Sequence, residues 1–296
     1  MNRAGIFLMT KKGLQVLESI IDKGFSSNIG FVVGASDKNV QNDYYHEIGE
    51  LCSKNGIPYF DKDETSYKKL NVSYLIAISW RWIISEQKAI PLIVLHDSLL
   101  PKYRGFAPLV NSLINGEREI GVSALFASSE YDKGPIIARS KCTVEYPIKI
   151  AKAIDLITEC YIELVQDLVR KIKDNVEIIA DSQNEELATY SLWRDEEDYH
   201  IDWEKDSSEI KRFIDSVGYP YKGASAFVKN RKVRIFDAQT QDDVSIVNRN
   251  PGKVIFVDHG KPIIVCGRGL LRIEDGQFDD TLEPLIPLKN FRTKFI

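Results

Sequence analysis

The sequence predicts an α/β protein in which a mostly parallel sheet with helices on both faces precedes a small β-barrel. Two patterns predict this order: apolar runs alternate with helical stripes up to residue 174, and short strands separated by turn residues follow a polar segment near residue 180. Strands that alternate with helices favour a parallel sheet, whereas meandering short strands favour closure into a barrel. The length of 296 residues exceeds what one compact core usually encloses, so we expect two domains.

The first predicted domain spans residues 1–180 and opens with a strand, a helix and a strand. Its strands are nearly continuous apolar runs, which is typical of parallel strands buried on both faces. The helices are predicted from apolar residues at helical spacing. In chain order the predicted elements are strand 4–9, helix 13–24, strand 29–36, helix 40–56, strands 73–79 and 91–96, helix 107–116, strands 121–128 and 135–145, and helix 149–174.

A polar, weakly periodic segment at 181–204 predicts a linker. The second predicted domain, 205–296, begins with a helical pattern in EIKRFIDSV and continues with the alternating runs SAFVKNRKVRIFDA and GKVIFVDHGKPIIVCGRGLLRIED. The turn residues DHGK and GRG separate its strands. Short strands of this kind favour a barrel similar to the oligonucleotide- and oligosaccharide-binding fold.

Composition excludes several classes of function. The net charge of −4 gives the chain as a whole no electrostatic reason to bind nucleic acid or an anionic membrane. No apolar run reaches about 18 residues, and the first residues lack an export signal. There is no metal-ligand cluster, no GxGxxG and no Walker loop, so we expect neither a metal ion nor a dinucleotide. Four distant cysteines predict free thiols in a cytoplasmic protein: Cys52, Cys142, Cys160 and Cys266.

The stretch HDSLLPKYRG directly follows the predicted strand PLIVL, which ends at His96. Open α/β sheets bind ligands at the carboxyl ends of their strands, and a histidine there can exchange a proton near neutral pH. Asp132, in SSEYDKGPIIA, follows the next strand region and can approach His96 across the sheet edge. From the residues alone, catalysis is not preferred: a histidine that ties down its own loop and an aspartate that only forms a turn are the commoner alternatives.

The segments HDSLLPKYRGFAPLVNSLINGE and YDKGPIIA together resemble the folate-dependent formyltransferase family, which includes methionyl-tRNA formyltransferases and nucleotide-sugar N-formyltransferases. IDWEKDSSEIKRFIDSVGYPYKGASAF, PGKVIFVD and VCGRGLLRIED resemble the C-terminal barrel of that family. The resemblance implies a Rossmann-like first domain and catalytic roles for His96 and Asp132 in an Asn, His, Asp set acting on 10-formyltetrahydrofolate, which is released as tetrahydrofolate. This chain departs from the family at Val94, where the asparagine would stand.

The resemblance also implies which residues hold the folate, because SWRWIIS at 79–85 is similar to the pterin-pocket segment of the family. Asp132 would orient His96 and help to collect the amine proton, and His96 would donate to the oxyanion or relay that proton. With Val94 in place of asparagine, a backbone N–H, a water or Ser98 supplies the oxyanion donor, or the enzyme is slow, or the protein is a silent binder. The expected folate-binding residues are Arg81, Trp82, Ile83, Ile84, Ser98, Leu100, Glu130 and Tyr131.

Two other segments contain residues expected to bind the substrate that accepts the formyl group. MTKKG enters a helix directly after the first strand, and free backbone N–H groups at a helix start suit a phosphate. GYPYKGA offers aromatic faces for a nucleobase and a lysine for a pyrophosphate. A solvated basic turn and structural aromatics are the alternatives. The expected substrate-binding residues are Thr10, Lys11, Lys12, Tyr103, Arg104, Tyr219, Tyr221 and Lys222.

Three acceptors compete within this resemblance. Initiator methionyl-tRNA calls for a basic surface, yet residues 193–296 hold 17 Lys and Arg against 18 Asp and Glu. Glycinamide ribonucleotide formyltransferases resemble the N-terminal half alone. We therefore expect a cytoplasmic, homodimeric N-formyltransferase that acts on a UDP-, dTDP- or GDP-linked amino sugar in lipopolysaccharide or other glycan biosynthesis, with no nucleic-acid or membrane partner. The tRNA enzyme is the second hypothesis, and a silent folate or nucleotide binder is the third.

Overall fold

The computed structural model describes residues 2–36, 43–84 and 90–296, and these divide into two compact units. The first unit contains the chain up to Leu109 together with Glu119–Thr143 and Ile154–Leu192. The second contains Val110–Arg118, Val144–Ala153 and Trp193–Ile296. The chain thus enters the second unit for the last time at Trp193, within the segment predicted as a linker, and the predicted boundaries at 180 and 205 remain predictions.

The strands of the first unit form a seven-stranded sheet in the order β3-β2-β1-β4-β5-β7-β8. Two short strands, β6 and β9, pair separately. The elements up to residue 191 are β1 (Ala4–Leu8), α1 (Thr10–Asp22), β2 (Ile29–Gly34), α2 (Tyr45–Lys54), β3 (Tyr59–Asp61), β4 (Tyr74–Ile78), β5 (Leu92–His96), β6 (Arg104–Gly105), α3 (Pro108–Ile114), β7 (Glu119–Phe126), β8 (Ile136–Thr143), α4 (Ile150–Lys173) and β9 (Tyr190–Ser191).

The first five strands pair parallel with their neighbours in the sheet, as predicted, while β7 pairs antiparallel with both β5 and β8. Strands β1 and β2 are buried along their whole length because helices cover both faces of a parallel sheet. Strand β3 was not predicted, since it has only three residues. The helix predicted at 40–56 is observed as α2, and its first predicted residues, 40–42, lie outside the described chain.

An aromatic cluster fills one face of this sheet. The Phe7 ring meets the rings of Phe31, Tyr67 and Trp80 edge-on, with centroid separations of 5.3 to 6.2 Å. Edge-to-face geometry is favourable because the positive ring edge meets the negative ring face. The cluster packs against β4, and the candidate site lies where β4 and β5 end.

The second unit contains a helix and a five-stranded antiparallel sheet in the order β10-β11-β14-β13-β12. Asp206 and Glu209 form a reciprocal capping box at the start of the helix, which satisfies two of its free N–H groups. The elements are α5 (Ser207–Val217), β10 (Ala224–Val228), β11 (Arg231–Gln241), β12 (Val254–Asp258), β13 (Lys261–Val265) and β14 (Leu270–Phe278).

The last residues close this sheet into the predicted barrel. Ile296 exchanges backbone hydrogen bonds with Phe227 of β10, at 2.7 and 3.0 Å. Thr293 accepts a 3.1 Å bond from the N–H of Val254 at the start of β12. Since one segment pairs with both edge strands, neither edge is left open.

The helices are too short or too polar to cross a membrane in the part of the chain that the structure describes.

Candidate active site

The site is built where β5 ends. His96 is the last residue of the strand, and its side chain is almost entirely buried. Its Nε2 lies 2.8 Å from the carbonyl oxygen of Tyr103. A carbonyl oxygen only accepts, so Nε2 carries a hydrogen and donates it. The other ring nitrogen, Nδ1, is therefore the one that can gain or lose a proton.

Asp132 faces that nitrogen. Its Oδ1 lies 3.5 Å from Nδ1 of His96, and its Oδ2 accepts a 2.8 Å hydrogen bond from the backbone N–H of Gly105. The gap to His96 is longer than a hydrogen bond, as is common for catalytic pairs before the substrate arrives. The structure thus brings together the two residues predicted to be catalytic.

The loop that contains Asp132 reaches His96 by a route different from the expected one. Adjacent loop ends were expected to meet at one edge of a parallel sheet, but β7 runs antiparallel to β5. The loop accordingly begins beside the first residue of β5, where the N–H of Ala127 donates to the carbonyl of Leu92 at 2.8 Å. It must fold back along the sheet to bring Asp132 to His96.

Gln183 holds this loop in its folded-back position. Its side-chain NH2 donates to the carbonyl oxygens of Asp132 and Gly134, at 2.6 and 2.8 Å. A side chain at 134 is excluded, because a Cβ there would lie 1.7 Å from the carbonyl oxygen of Phe126. Gln183 was not predicted as a site residue, since it lies in the polar segment interpreted as a linker.

Arg104 orients Gln183 and is fully buried, at 0% exposure. Its Nε and one Nη donate to Oε1 of Gln183 at 3.1 and 2.8 Å, and the remaining N–H groups reach the carboxylate of Glu185 and the hydroxyl of Tyr190. The Glu185 carboxylate raises the pKa of this guanidinium. Arg104 was predicted to bind the substrate, but all five of its N–H groups are used within the protein. It is instead an internal support for the loop.

The contacts of Lys12 also differ from those expected of a phosphate ligand. Its ammonium lies 2.7 and 2.8 Å from the two carboxylate oxygens of Asp97, the residue after His96, and 4.5 Å above the Tyr161 ring. Tyr161 donates its phenol proton to the same carboxylate and lies 3.2 Å from the carbonyl of Leu95. Burial raises the pKa of Asp97, but Lys12 and Tyr161 outweigh burial and lower it. The lysine therefore neutralises a carboxylate beside the site.

The rest of the predicted phosphate turn is partly occupied as well. The backbone N–H of Thr10 donates to the carbonyl of Asp43 at 3.1 Å. The ammonium of Lys11 is half exposed and lies 3.4 Å from the carboxylate of Asp155. Tyr103, predicted with the substrate-binding group, does contact the site, because its carbonyl is the acceptor for His96.

The residues predicted to hold the folate divide into exposed and buried groups. Trp82, Ile83 and Tyr131 expose 37%, 84% and 73% of their surface, and Arg81 is exposed too. Glu130 is paired with Lys133, and Ile84 packs against the aromatic cluster. Ser85, from the same predicted segment, lies outside the described residues.

Ser98 and Leu100 are buried. The Ser98 hydroxyl donates to the carbonyl of Lys102 at 2.7 Å, so its only proton is already used. Leu100 packs with Leu125 and Ile136, and Val94 lies against the same apolar cluster. Ser98, proposed as a replacement oxyanion donor, therefore has no proton to offer in this arrangement.

The other residues predicted to bind the substrate that accepts the formyl group belong to the second unit. Tyr219, Tyr221 and Lys222 are exposed, and Lys222 lies 3.2 Å from the carboxylate of Glu196. Burial raises the pKa of Glu196, but Lys232, Lys222 and Arg234 outweigh burial and lower it to about 2. Glu196 is thus an ionised partner for Lys222 at neutral pH.

Within the described residues, no three His, Cys, Asp or Glu side chains are grouped so that they could hold a metal ion.

A largely parallel sheet with a His–Asp pair at the end of one strand, followed in the chain by a closed antiparallel barrel, defines an α/β protein with an additional all-β unit. A family model for the formyl transferases matches residues 54–150, which include His96 and Asp132, and a model for the formyl transferase C-terminal domain matches residues 194–283. Together the two models cover more than half of the chain. The protein belongs to the formyl transferase family.

Solved structures share this fold. The N-formyltransferase from Helicobacter canadensis, in complex with folinic acid and dTDP-3-aminofucose, superposes with a TM-score of 0.67 at 17% identity, over 93% of this chain and 99% of that one. The methionyl-tRNA formyltransferase from Clostridium thermocellum gives 0.57 at 16% identity, over 81% and 94%. HypX from Aquifex aeolicus, in complex with tetrahydrofolic acid, gives 0.64 at 21% identity over 94% of this chain. This chain spans only 44% of HypX.

The ion pair of Lys12 predicts the effect of removing it. Lys12→Met leaves the Asp97 carboxylate without its cation, so we expect the free energy of unfolding to fall by about 2 kcal/mol. The double variant Lys12→Met with Asp97→Asn should recover at least half of this loss. Urea unfolding measures all three proteins. Lys11→Met is the matched control and should change stability by less than about 0.5 kcal/mol, because its ion pair is exposed. An unchanged stability in Lys12→Met, with a weaker acceptor KM, would restore the predicted phosphate role.

The apolar surroundings of Val94 predict the effect of introducing the family asparagine. Val94→Asn places a carboxamide against Leu100, Leu125 and Ile136, where it has no polar partner, so stability should fall by about 1–2 kcal/mol. Turnover should change little or decrease. Single-turnover formyl transfer at saturating donor measures it, with Val94→Ala as the control for lost packing. A tenfold gain in rate would contradict this expectation and show that the site lacks an oxyanion donor.

Proposed function

We propose that the protein transfers the formyl group of 10-formyltetrahydrofolate to the amino group of a nucleotide-linked amino sugar. The observation that carries this proposal is the His96–Asp132 pair, held together by a folded-back loop within a formyl transferase fold. The sugar acceptor is supported by the likeness to the Helicobacter enzyme, whose complex contains dTDP-3-aminofucose and whose whole length this chain covers.

The geometry supports a proton route for this reaction. The attacking amine must be neutral, and it loses a proton as its nitrogen bonds to the formyl carbon. Asp132 accepts that proton, and Nδ1 of His96, 3.5 Å away, shares it. The bond between the formyl carbon and N10 of the folate then breaks, and the shared proton goes to the departing nitrogen. The products are the formamide and tetrahydrofolate, so no proton is gained or lost overall.

The folate is proposed to bind along the exposed residues that follow β4 and precede Asp132. Trp82, Ile83 and Tyr131 present apolar surfaces large enough for a flat ring, and Arg81 and Glu130 add polar groups beside them. Ser98 and Leu100, which are buried, would act by shaping the floor of this site. HypX with bound tetrahydrofolic acid shares the fold and supports a folate donor.

The methionyl-tRNA alternative has a fold likeness in its favour but lacks electrostatic support. Binding tRNA requires neutralising several phosphates, whereas residues 193–296 carry slightly more acidic than basic residues. A silent binder is disfavoured because His96 and Asp132 face each other at 3.5 Å. For the acceptor nucleotide, Tyr219, Tyr221 and Lys222 remain the proposed contacts. A cytoplasmic homodimer acting in surface glycan synthesis is part of the same proposal.

The proton route predicts that both members of the pair are required. His96→Ala and Asp132→Ala should each lower kcat at least a hundredfold, while the dissociation constant of folinic acid changes less than threefold, because both residues act mainly on the transition state. Stopped-time formylation assays and calorimetric titration measure the two quantities. His259→Ala, a histidine exposed on a barrel turn, is the matched control. Near wild-type turnover in either site variant would refute the assigned roles.

The sugar proposal predicts a choice of acceptor. Formyl transfer should occur to an amino sugar linked to dTDP, UDP or GDP, and not to charged initiator methionyl-tRNA. A thermal-shift panel of the free nucleotides first identifies the productive class, since a ligand at a hundred times its dissociation constant stabilises by about 2.7 kcal/mol. A radiolabel transfer assay with the matching amino sugars then follows. Efficient formylation of the tRNA would reverse the ranking of the two acceptors.

A further inference from the structure

Formyl transfer places negative charge on the formyl oxygen, and this charge must be met by a hydrogen-bond donor. The protons near His96 are nearly all committed. Among the described residues, the hydroxyl of Ser123 donates to the carbonyl of Ser98, and the N–H of Gly105 donates to Asp132. His96 gives its Nε2 hydrogen to the carbonyl of Tyr103. Ser98, Tyr161 and Lys12 are also engaged, as described above.

The Ser79 hydroxyl is the exception among these donors. Ser79 directly follows the last residue of β4, and β4 pairs parallel with β5, whose last residue is His96, so both residues stand at the same edge of the sheet. The oxygen of the Ser79 hydroxyl is buried and has no hydrogen-bond partner among the described residues. A buried hydroxyl without a partner is costly, so its retention calls for an explanation.

In the described part of the first unit, one other buried side-chain polar atom lacks a partner, the indole Nε1 of Trp80. The Trp80 ring packs against the rings of Phe7 and Trp82, with centroid separations of 5.3 and 5.2 Å. Aromatic faces are weak acceptors for an N–H, so the indole is not wholly without interaction.

The backbone at Ser79 gives an independent indication. Its φ is +53°, in the left-handed region that favours glycine, although the residue carries a side chain. Residues held in this conformation persist where the surrounding structure imposes it, and they concentrate at ligand-binding and catalytic sites. Because glycine would fit better here, the hydroxyl is the one feature that a serine adds.

The neighbouring phenol leaves the Ser79 proton unused. Ser79 lies close enough to Tyr161 to favour its ionised form, but burial and the Asp97 carboxylate outweigh this and raise the pKa of Tyr161 well above its usual value. The phenol therefore stays protonated and donates to Asp97. A protonated phenol oxygen can still accept a hydrogen bond, but the Ser79 hydroxyl makes none that meets hydrogen-bond geometry within the described residues.

We propose that the Ser79 hydroxyl is a catalytic hydrogen-bond donor to the formyl oxygen as that oxygen becomes negatively charged. The inference rests on the proposed formyl transfer and adds to it the group that stabilises the oxyanion. Val94 on β5, which stands opposite Ala77, is apolar and offers no hydrogen. The Ser79 proton, which has no acceptor among the described residues, gains its acceptor in the transition state.

The test uses Ser79→Gly, which removes the hydroxyl and suits the positive φ, together with Ser79→Ala. For Ser79→Gly we expect a midpoint of thermal unfolding equal to or above that of the wild type, but a kcat lower by about a hundredfold. KM for the donor and folinic acid binding should stay within twofold, and the pH–rate profile should keep its shape, because Ser79 does not exchange a proton. Ser216→Ala is the matched control, since its buried hydroxyl in the second unit donates to the carbonyl of Arg212 at 2.6 Å.

The outcomes separate this inference from the proposed function. A kcat of Ser79→Gly within threefold of the wild type overturns the assignment of Ser79 while leaving formyl transfer intact. A lower kcat accompanied by lower thermal stability in both variants, or by a shifted pH–rate profile, also overturns it, because Ser79 would then act through the structure. If the wild-type protein itself transfers no formyl group to any amino sugar or to tRNA, the proposed function falls, and the inference falls with it.

Discussion

The site depends on one buried guanidinium. Arg104 fixes the carbonyl oxygen of Gln183, and the NH2 group of the same amide then holds the backbone at Asp132 and Gly134. Without this orientation of the amide, the loop that begins beside the first residue of β5 would lose the hydrogen bonds that hold it folded back toward His96. A planar group with five hydrogens in fixed directions suits this task, because a lysine could not address an amide and a carboxylate at defined angles.

Ion pairing determines which charges remain around His96. Asp97 and Asp132 both lie beside the histidine, but Lys12 neutralises Asp97 and the Tyr161 phenol adds a hydrogen bond to it. The other carboxylate, that of Asp132, faces Nδ1 at 3.5 Å and is the one proposed to share a proton with it. Two unpaired carboxylates in so small a space would compete for that proton and blur the roles of acid and base. The ion pair therefore sets the charge around the proposed reacting groups even though it lies to one side of them.

The sequence allowed a good prediction of the fold and a partial prediction of the site. Strands such as β1 and β2 are apolar throughout because both faces of the sheet are covered, and this pattern is visible in AGIFL and IGFVVG. His96 and Asp132 were identified through a family resemblance rather than through physics. The antiparallel direction of β7 was not predictable, because strand direction depends on how the connection packs and not on the strand's own residues.

The partners of the buried charged residues were not predicted either, because they lie far away in the sequence. Lys12 and Asp97 are 85 residues apart, and Arg104 and Gln183 are 79 apart. A lysine at a helix start is typical of a phosphate site, and no local pattern shows that a distant carboxylate will occupy it. Likewise, Gln183 stands in a polar stretch without periodicity, so its role emerges only when the chain is folded.

Gly105 carries a consequence for how variants of this protein would be interpreted. Its φ is +99°, and a Cβ there would lie 2.5 Å from the carbonyl oxygen of Ser191, so β6 and β9 could not keep their present separation. The same residue gives its N–H to Asp132. In a genetic screen, substitutions at 105 would score as loss of enzyme function and suggest a binding residue. The true cause would be steric, since the residue has no side chain with which to touch a substrate, and only its backbone keeps the carboxylate in register with the histidine.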